Sequence, residues 1–314
     1  MAAAGELAGE LESDAGGGAG DECGRHGPKS TPHRSSEASA RGSAASGMMS
    51  SMNAKAPGTT ILAVANQKGG VAKTTSVASI GAALAERDQS VLLVDLDPQA
   101  CLTFSLGIDP EDLELSVHHV LTKGTAVDEV IISTDDGVDL LPATIELARA
   151  EADLLTRTGR EHVLRGVMED LAAAGTHYDW VLLDCPPSLG VLTVAALTAA
   201  TGVLVPLQCE TLSHRGVGQL LDTVHDVRRF TNRDLEVWGV LPTLYDGRTN
   251  HARAVLDTIS ETYDLEVVEP PIPKTIKFAE APAAGRSILA TSRSSKGAQA
   301  YREVAGTLLA RAAR

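Results

Sequence analysis

Asn66-Gln67-Lys68-Gly69-Gly70-Val71-Ala72-Lys73-Thr74-Thr75 joins a short apolar, β-branched segment, Thr60 to Ala65 (TILAVA), to a run in which Val77, Ile80, Ala83 and Leu84 recur at helical spacing. The first segment predicts a strand and the second a helix starting near Lys73. A Gly-rich turn between the two aims several backbone N–H groups at one point, and the positive end of the helix faces the same way. That is a cradle for phosphate. Lys73 adds a mobile positive charge for the outer phosphates, and the Thr74 hydroxyl is placed to ligate Mg²⁺.

The common P-loop separates its first Gly by four residues from a Gly-Lys pair. Here Lys-Gly-Gly-Val-Ala-Lys-Thr-Thr resembles instead the deviant Walker A motif of the ParA/MinD class of ATPases. The resemblance implies ATP and Mg²⁺ as cofactors, held by Gly69, Gly70, Val71, Ala72, Lys73, Thr74 and Thr75. In that class a second lysine, matched by Lys68, reaches across a dimer interface to the partner's nucleotide. The residue before the P-loop lysine is usually Gly and here is Ala72. An alanine fits if that position keeps φ negative.

The 314 residues, 43% hydrophobic, suffice for one large α/β domain or two small ones. Aromatics at 3% argue against a base-stacking single-strand platform. A net charge of −14 argues against a uniformly basic nucleic-acid binder and leaves local patches open. Cys23, Cys101, Cys185 and Cys209 lie far apart and form no CxxC pair, which disfavours a disulfide scaffold or a self-contained metal cluster and fits a reducing cytoplasm. No apolar run approaches the roughly 20 residues that span a bilayer, and no signal-peptide core opens the sequence.

Residues 1–58 are rich in Gly, Ala, Ser and charge, without apolar periodicity (GGGAG, HGPKSTPHRSS, ARGSAASG), and are expected to form a disordered tail before a 59–314 ATPase domain. His26 and His33 there read as solvated rather than metal-bound. Met48, Met49 and Met52 offer another reading, in which translation starts just before the fold.

Further strands are predicted at Ser90–Asp95, Val138–Leu141, Tyr178–Asp184, Val203–Leu207 and Val237–Leu241, with helical patterns between them. This alternation predicts a doubly wound, mainly parallel sheet with helices on both faces. Ile145, Leu147, Leu154 and Leu155 are expected in the core. Asp95-Leu96-Asp97-Pro98-Gln99 ends the second strand at the sheet edge where ligands bind in open α/β folds. It resembles the family's DxDPQ segment, which assigns Asp97 to the water that attacks the γ-phosphate. Asp184, closing an apolar strand before Cys185-Pro186-Pro187, has the Walker B arrangement for Mg²⁺. Pro242 to Asp246 resembles the family segment near the adenine, placing Thr243 and Pro273 at the base. Glu280 to Ile288 (EAPAAGRSI) resembles another family stretch, so the likeness covers roughly residues 59–310.

The resemblance implies an ATP-hydrolysing dimerisation switch that binds double-stranded DNA without sequence preference, acts in chromosome or plasmid partition with a ParB-like partner and sits in the cytoplasm on the nucleoid. Between Pro271 and Arg302 stand Lys274, Lys277, Arg286, Arg293, Lys296 and Arg302 against the one acid Glu280, a plausible DNA-facing patch. Lys274, Lys277 and Arg286 are the first candidates there; Arg215, Arg248 and Arg253 are the second. The runner-up is a ParA-like ATPase with another cargo, or a MinD-like membrane-associated one. The terminal GTLLARAAR is short and lacks aromatics, a weak membrane anchor.

Overall fold

The computed structural model describes residues 58–210, 213–248 and 250–314. The expected tail therefore lies, except for Gly58, outside the described residues.

Seven strands form one sheet: β1 (Thr60–Val64), β2 (Val91–Asp95), β3 (Ile132–Ser133), β4 (Asp139–Leu141), β5 (Trp180–Asp184), β6 (Gly202–Gln208) and β7 (Glu236–Thr243). Their order is β3-β4-β2-β5-β1-β6-β7. All neighbours run parallel except β3, which pairs antiparallel with β4 at the edge. The expected doubly wound, mainly parallel sheet is the one observed. β3 has two residues and no periodicity, so nothing in its sequence announces it.

The long helices are α1 (Lys73–Ala85), α5 (Val163–Ala173), α7 (Ser213–Phe230), α8 (Asn250–Tyr263) and α11 (Lys296–Ala312). Shorter ones are α2 (Cys101–Ser105), α3 (Val117–Lys123), α4 (Leu147–Leu155), α6 (Val191–Ala199), α9 (Lys277–Glu280) and α10 (Ile288–Thr291). Central strands buried on both faces need unbroken apolar runs, and β2 and β5 are buried at every residue. Strand alternation then splits the core in two. Val91 and Leu93 join Val77, Ile80, Leu84, Tyr301 and Val304 beneath α1 and α11. Leu92 and Val94 join Leu147, Leu192, Val217, Leu220 and Ile259 beneath α4, α6, α7 and α8. Leu147 and Leu154 are buried as expected, but Ile145 and Leu155 are 67% and 58% exposed. Ile145 precedes α4, and Leu155 falls on that helix's outer side.

Register fixes what the sheet edge presents. β1 and β5 pair Val64 with Asp184, and β2 and β5 pair Asp95 with Asp184. Two carboxylates and the start of the Gly-rich turn thus share one end of three adjacent strands.

Helix α11 locks α1 from outside. The Tyr301 hydroxyl lies 2.9 Å from Ser76 Oγ, and both residues are fully buried. Tyr301→Phe leaves the Ser76 hydroxyl without that partner, at a cost of about 1–2 kcal/mol. Thermal unfolding should fall on the order of 2–8 °C for a domain of this size. An unchanged Tm would show that the pair contributes nothing.

Candidate functional site

The turn after β1 is pinned before it reaches α1. Asn66 donates from Nδ2 to the Pro206 carbonyl at 2.7 Å, and its Oδ1 accepts from the Lys68 N–H at 3.0 Å. Gly70 then takes φ +73° and Ala72 φ +64°. The expectation of a negative φ at Ala72 is therefore wrong. Ala72 is the residue that caps α1, its carbonyl accepting from Ser76 N at 2.9 Å, and the turn into the helix requires the left-handed region there. An L-residue with a Cβ pays roughly 1–2 kcal/mol for that conformation.

A cleft of about 490 Å³ opens over the turn. Gly69, Gly70, Ala72, Lys73, Thr74 and Thr75 form its floor, and Asp97, Cys101 and Pro187 form one wall. Val71 is not among its lining residues. Leu244, Ile272, Thr275, Phe278 and Ala279 close the far side. A second cleft of about 580 Å³ lies between α3, α4 and α5 and contains none of the phosphate-binding groups.

At the strand ends the carboxylates are buried and unequal. Asp95 Oδ2 accepts from Thr103 N at 2.9 Å and Thr103 Oγ1 at 2.8 Å, and its Oδ1 accepts from Asp97 N at 3.1 Å. Burial nevertheless raises the Asp95 carboxyl to about 6. Asp184 is fully buried, and neither of its carboxylate oxygens has a hydrogen-bond partner. Burial, then the charge of Asp95, pushes its carboxyl well above the usual range, against the pull of Thr74 and Lys73. An orphaned buried carboxylate beside a threonine hydroxyl is the donor set a hard divalent cation takes up, so the residues present fit Mg²⁺. Asp97 is held through its backbone by Asp95 and through Oδ1 by the Gln99 N–H at 3.0 Å.

The base-side expectations need correction. Thr243 is fully buried, and its hydroxyl donates 2.9 Å to the Val71 carbonyl rather than facing the cleft. Pro273 bridges to Tyr245 and does not line the cleft. Leu244 and Thr275 do. Leu244 is turned there by a φ of +50°, which no sequence pattern reveals.

Lys68 does not line the cleft of its own chain. Its ammonium pairs with Glu210, just beyond β6. The basic patch is also less free than its sequence suggests. Arg286 Nε contacts Asp136 Oδ1 at 2.8 Å, Lys277 pairs with Glu280 at 3.0 Å, and Arg302 Nη2 reaches Glu86 Oε1 at 2.8 Å. Lys274 is exposed and bonds through its backbone to Tyr245, which brings it near Asp246, and Arg248 Nε pairs with Asp246 Oδ1 at 3.1 Å. Arg215 and Arg253 are exposed on α7 and α8.

A family model described as an AAA domain matches residues 59–237. The sporulation initiation inhibitor protein Soj of Bacillus subtilis is 41% identical over 246 residues, 78% of this chain and 96% of Soj. The chain belongs to the ParA/Soj family of P-loop ATPases. The chromosome partitioning protein ParA of Caulobacter vibrioides is 38% identical over 252 residues, covering 80% of this chain and 94% of that one. Among solved structures, a Mycobacterium smegmatis protein named cobyrinic acid a,c-diamide synthase, with bound ADP and magnesium, is 56% identical with a TM-score of 0.71. That match covers 80% of this chain and 94% of the other. In this ParA-family chain no helix among the described residues is long and apolar enough to cross a membrane.

Asp95 and Asp184 bind protons more readily folded than unfolded, where an aspartate titrates near ~4. The nucleotide-free protein therefore loses stability as pH rises from about 4 through the Asp95 value of about 6. Asp184→Asn should raise its Tm at pH 8 more than at pH 5, and remove any stabilisation by Mg²⁺-nucleotide. Scanning fluorimetry at both pH values checks this; a lower Tm at pH 8 would refute the electrostatic account.

Proposed function

We propose that this protein is an ATP-hydrolysing dimerisation switch of the ParA type. The observation that carries the proposal is the cleft itself: Lys73, Thr74 and Asp97 line one cavity beside the unpaired Asp184, while Lys68 points elsewhere. Backbone N–H groups of the turn and Lys73 bind the phosphates. Thr74 and Asp184 would hold Mg²⁺, which supplies charge for the β- and γ-oxygens when bound. Asp97 orients the attacking water; the bond from the γ-phosphorus to its bridging oxygen breaks, giving ADP and phosphate. Lys68 acts on the partner's nucleotide, so turnover depends on the dimer.

The name of the Mycobacterium smegmatis neighbour raises carboxylate amidation as a second reading. An amide synthase drawing ammonia from glutamine needs an activated thiolate. Among the described residues burial instead pushes the Cys101, Cys185 and Cys209 thiols up, Cys209 to about 11; Cys23 lies outside them. The switch reading is preferred on that ground, and phosphate release from ATP with no second substrate present separates the two.

Lys73→Ala should abolish nucleotide binding, whereas Asp97→Ala should bind ATP and hydrolyse it at least about 100-fold more slowly, the scale of a lost catalytic group. Lys68→Ala should bind ATP yet fail to dimerise by light scattering with ATP and Mg²⁺. Normal turnover by Asp97→Ala, or a normal Lys68→Ala dimer, would remove the respective role.

Non-specific DNA binding by the ATP dimer belongs to the same reading. Lys274 and the highly exposed Arg248, although the latter pairs with Asp246, are the contacts we favour, with Lys277, Arg215 and Arg253 as further candidates. Two copies on one duplex gain affinity by linkage. Changing Arg248 and Lys274 together to Glu should weaken binding to all sequences alike and flatten its salt dependence. Mobility shifts of the Asp97→Ala protein with ATP at two salt concentrations decide it. Absence of binding at low salt would favour a different cargo.

A further inference from the structure

The Val71–Ala72 peptide is held from a distant part of the chain. Thr243 ends β7, is fully buried, and donates its hydroxyl to the Val71 carbonyl at 2.9 Å, across 172 positions of sequence. Within one planar trans peptide the carbonyl of residue 71 and the N–H of residue 72 point in opposite directions. With Val71 O drawn toward β7, the Ala72 N–H is turned away from β7, on the side where Ala72 lines the cleft. The next peptide is fixed as well, because Ala72 O accepts from Ser76 N at 2.9 Å. Both planes flanking Ala72 are therefore held while Ala72 sits at φ +64°, a conformation that its own Cβ opposes.

Resting on the nucleotide-binding reading above, we propose that Thr243 is a positioning residue for the P-loop. Its hydroxyl holds the Val71–Ala72 peptide with the Ala72 N–H aimed at phosphate, and it offsets the left-handed strain of an alanine at this position. It touches no nucleotide. The residue after it, Leu244, turns into the cleft wall at φ +50°, so one short segment shapes the far wall and sets the P-loop peptide. A glycine at position 72 would hold that conformation with far less help. The dependence on Thr243 is thus a consequence of having alanine there.

The proposal makes the two positions non-additive. Thr243→Val keeps the shape but leaves a buried carbonyl unpaired and frees the peptide to rotate. Affinity for both ATP and ADP should fall about 10-fold or more. Thr243→Ser keeps the donor and should stay within about 3-fold of wild type, an effect below one full hydrogen bond. With Ala72→Gly as its own reference, adding Thr243→Val should cost clearly less affinity than the same change costs in the Ala72 chain. General destabilisation of β7 would cost the same in either background, so the difference separates positioning from stability.

The experiment is a titration of the full chain and its four variants with fluorescent ATP and ADP analogues and Mg²⁺, with Tm recorded for each. Wild-type affinity in Thr243→Val, an equal loss in Thr243→Ser, or an undiminished loss in the Ala72→Gly background would each overturn the assignment. A wild-type chain that binds neither nucleotide would instead bring down the nucleotide-binding reading, and this assignment with it.

Discussion

Two aspartates buried side by side at adjacent strand ends are the constraint on which the site depends. Register makes the juxtaposition unavoidable: once β5 pairs with β1 and β2 along apolar runs, Asp184 must lie opposite both Val64 and Asp95. The two are then made unequal by their surroundings. Asp95 spends its oxygens on Thr103 and the Asp97 backbone and serves as scaffold. Asp184 keeps both oxygens unpaired at full burial. A carboxylate left that way costs stability and is tolerated where an ion or a proton completes it. Asp95 also sets where Asp97 stands, because the bond to the Asp97 N–H aims the start of the following loop.

How much of this was legible depended on how local the pattern was. The strands that build the centre of the sheet are unbroken apolar runs, and the phosphate turn, Asp97 and Asp184 each close such a run, so sequence order already placed them at one edge. The antiparallel β3 could not be seen, because two residues carry no period. Its neighbourhood in a motif points Thr243 at the base, yet its hydroxyl bonds the Val71 carbonyl of the P-loop. Side-chain direction at a strand's last residue depends on the left-handed turn at Leu244, and neither Leu244 nor Ala72 is a residue type that advertises a positive φ.

Charge is hidden from a sequence window for a related reason. A window of sequence counts the acids next to a basic residue and misses those that folding delivers. Arg286 finds Asp136 on the loop before β4, and Arg302 finds Glu86 beyond α1. Asp136 is nearly inaccessible, 2% exposed against 36% for Arg286, so that pair is a structural tie between the loop and the start of α10. The same folding brings Lys274 near Asp246, which already pairs with Arg248, a grouping that no window would show. A basic stretch is therefore only an upper bound on the field it projects, and the surface that remains is smaller and elsewhere.

Magnitude also decides how the pairing of Lys68 with Glu210 should be understood. Both side chains are largely open to water, at 35% and 52% exposure. Pairs of that kind are worth about 0–1 kcal/mol, because water screens them and two long side chains lose freedom. Such a pair cannot hold a conformation against a bound nucleotide. It can keep the ammonium clear of its own P-loop, where Lys73 already occupies the cleft and a second cation would have to desolvate against it. A dense array of phosphate oxygens presented by a second copy offers Lys68 more than one exposed carboxylate does. In the proposed switch the exchange from Glu210 to phosphate therefore runs towards the dimer, and loss of the γ-phosphate weakens the competing side. A weak intramolecular partner is what the proposed switch asks of Lys68, which would exchange Glu210 for phosphate at every turnover.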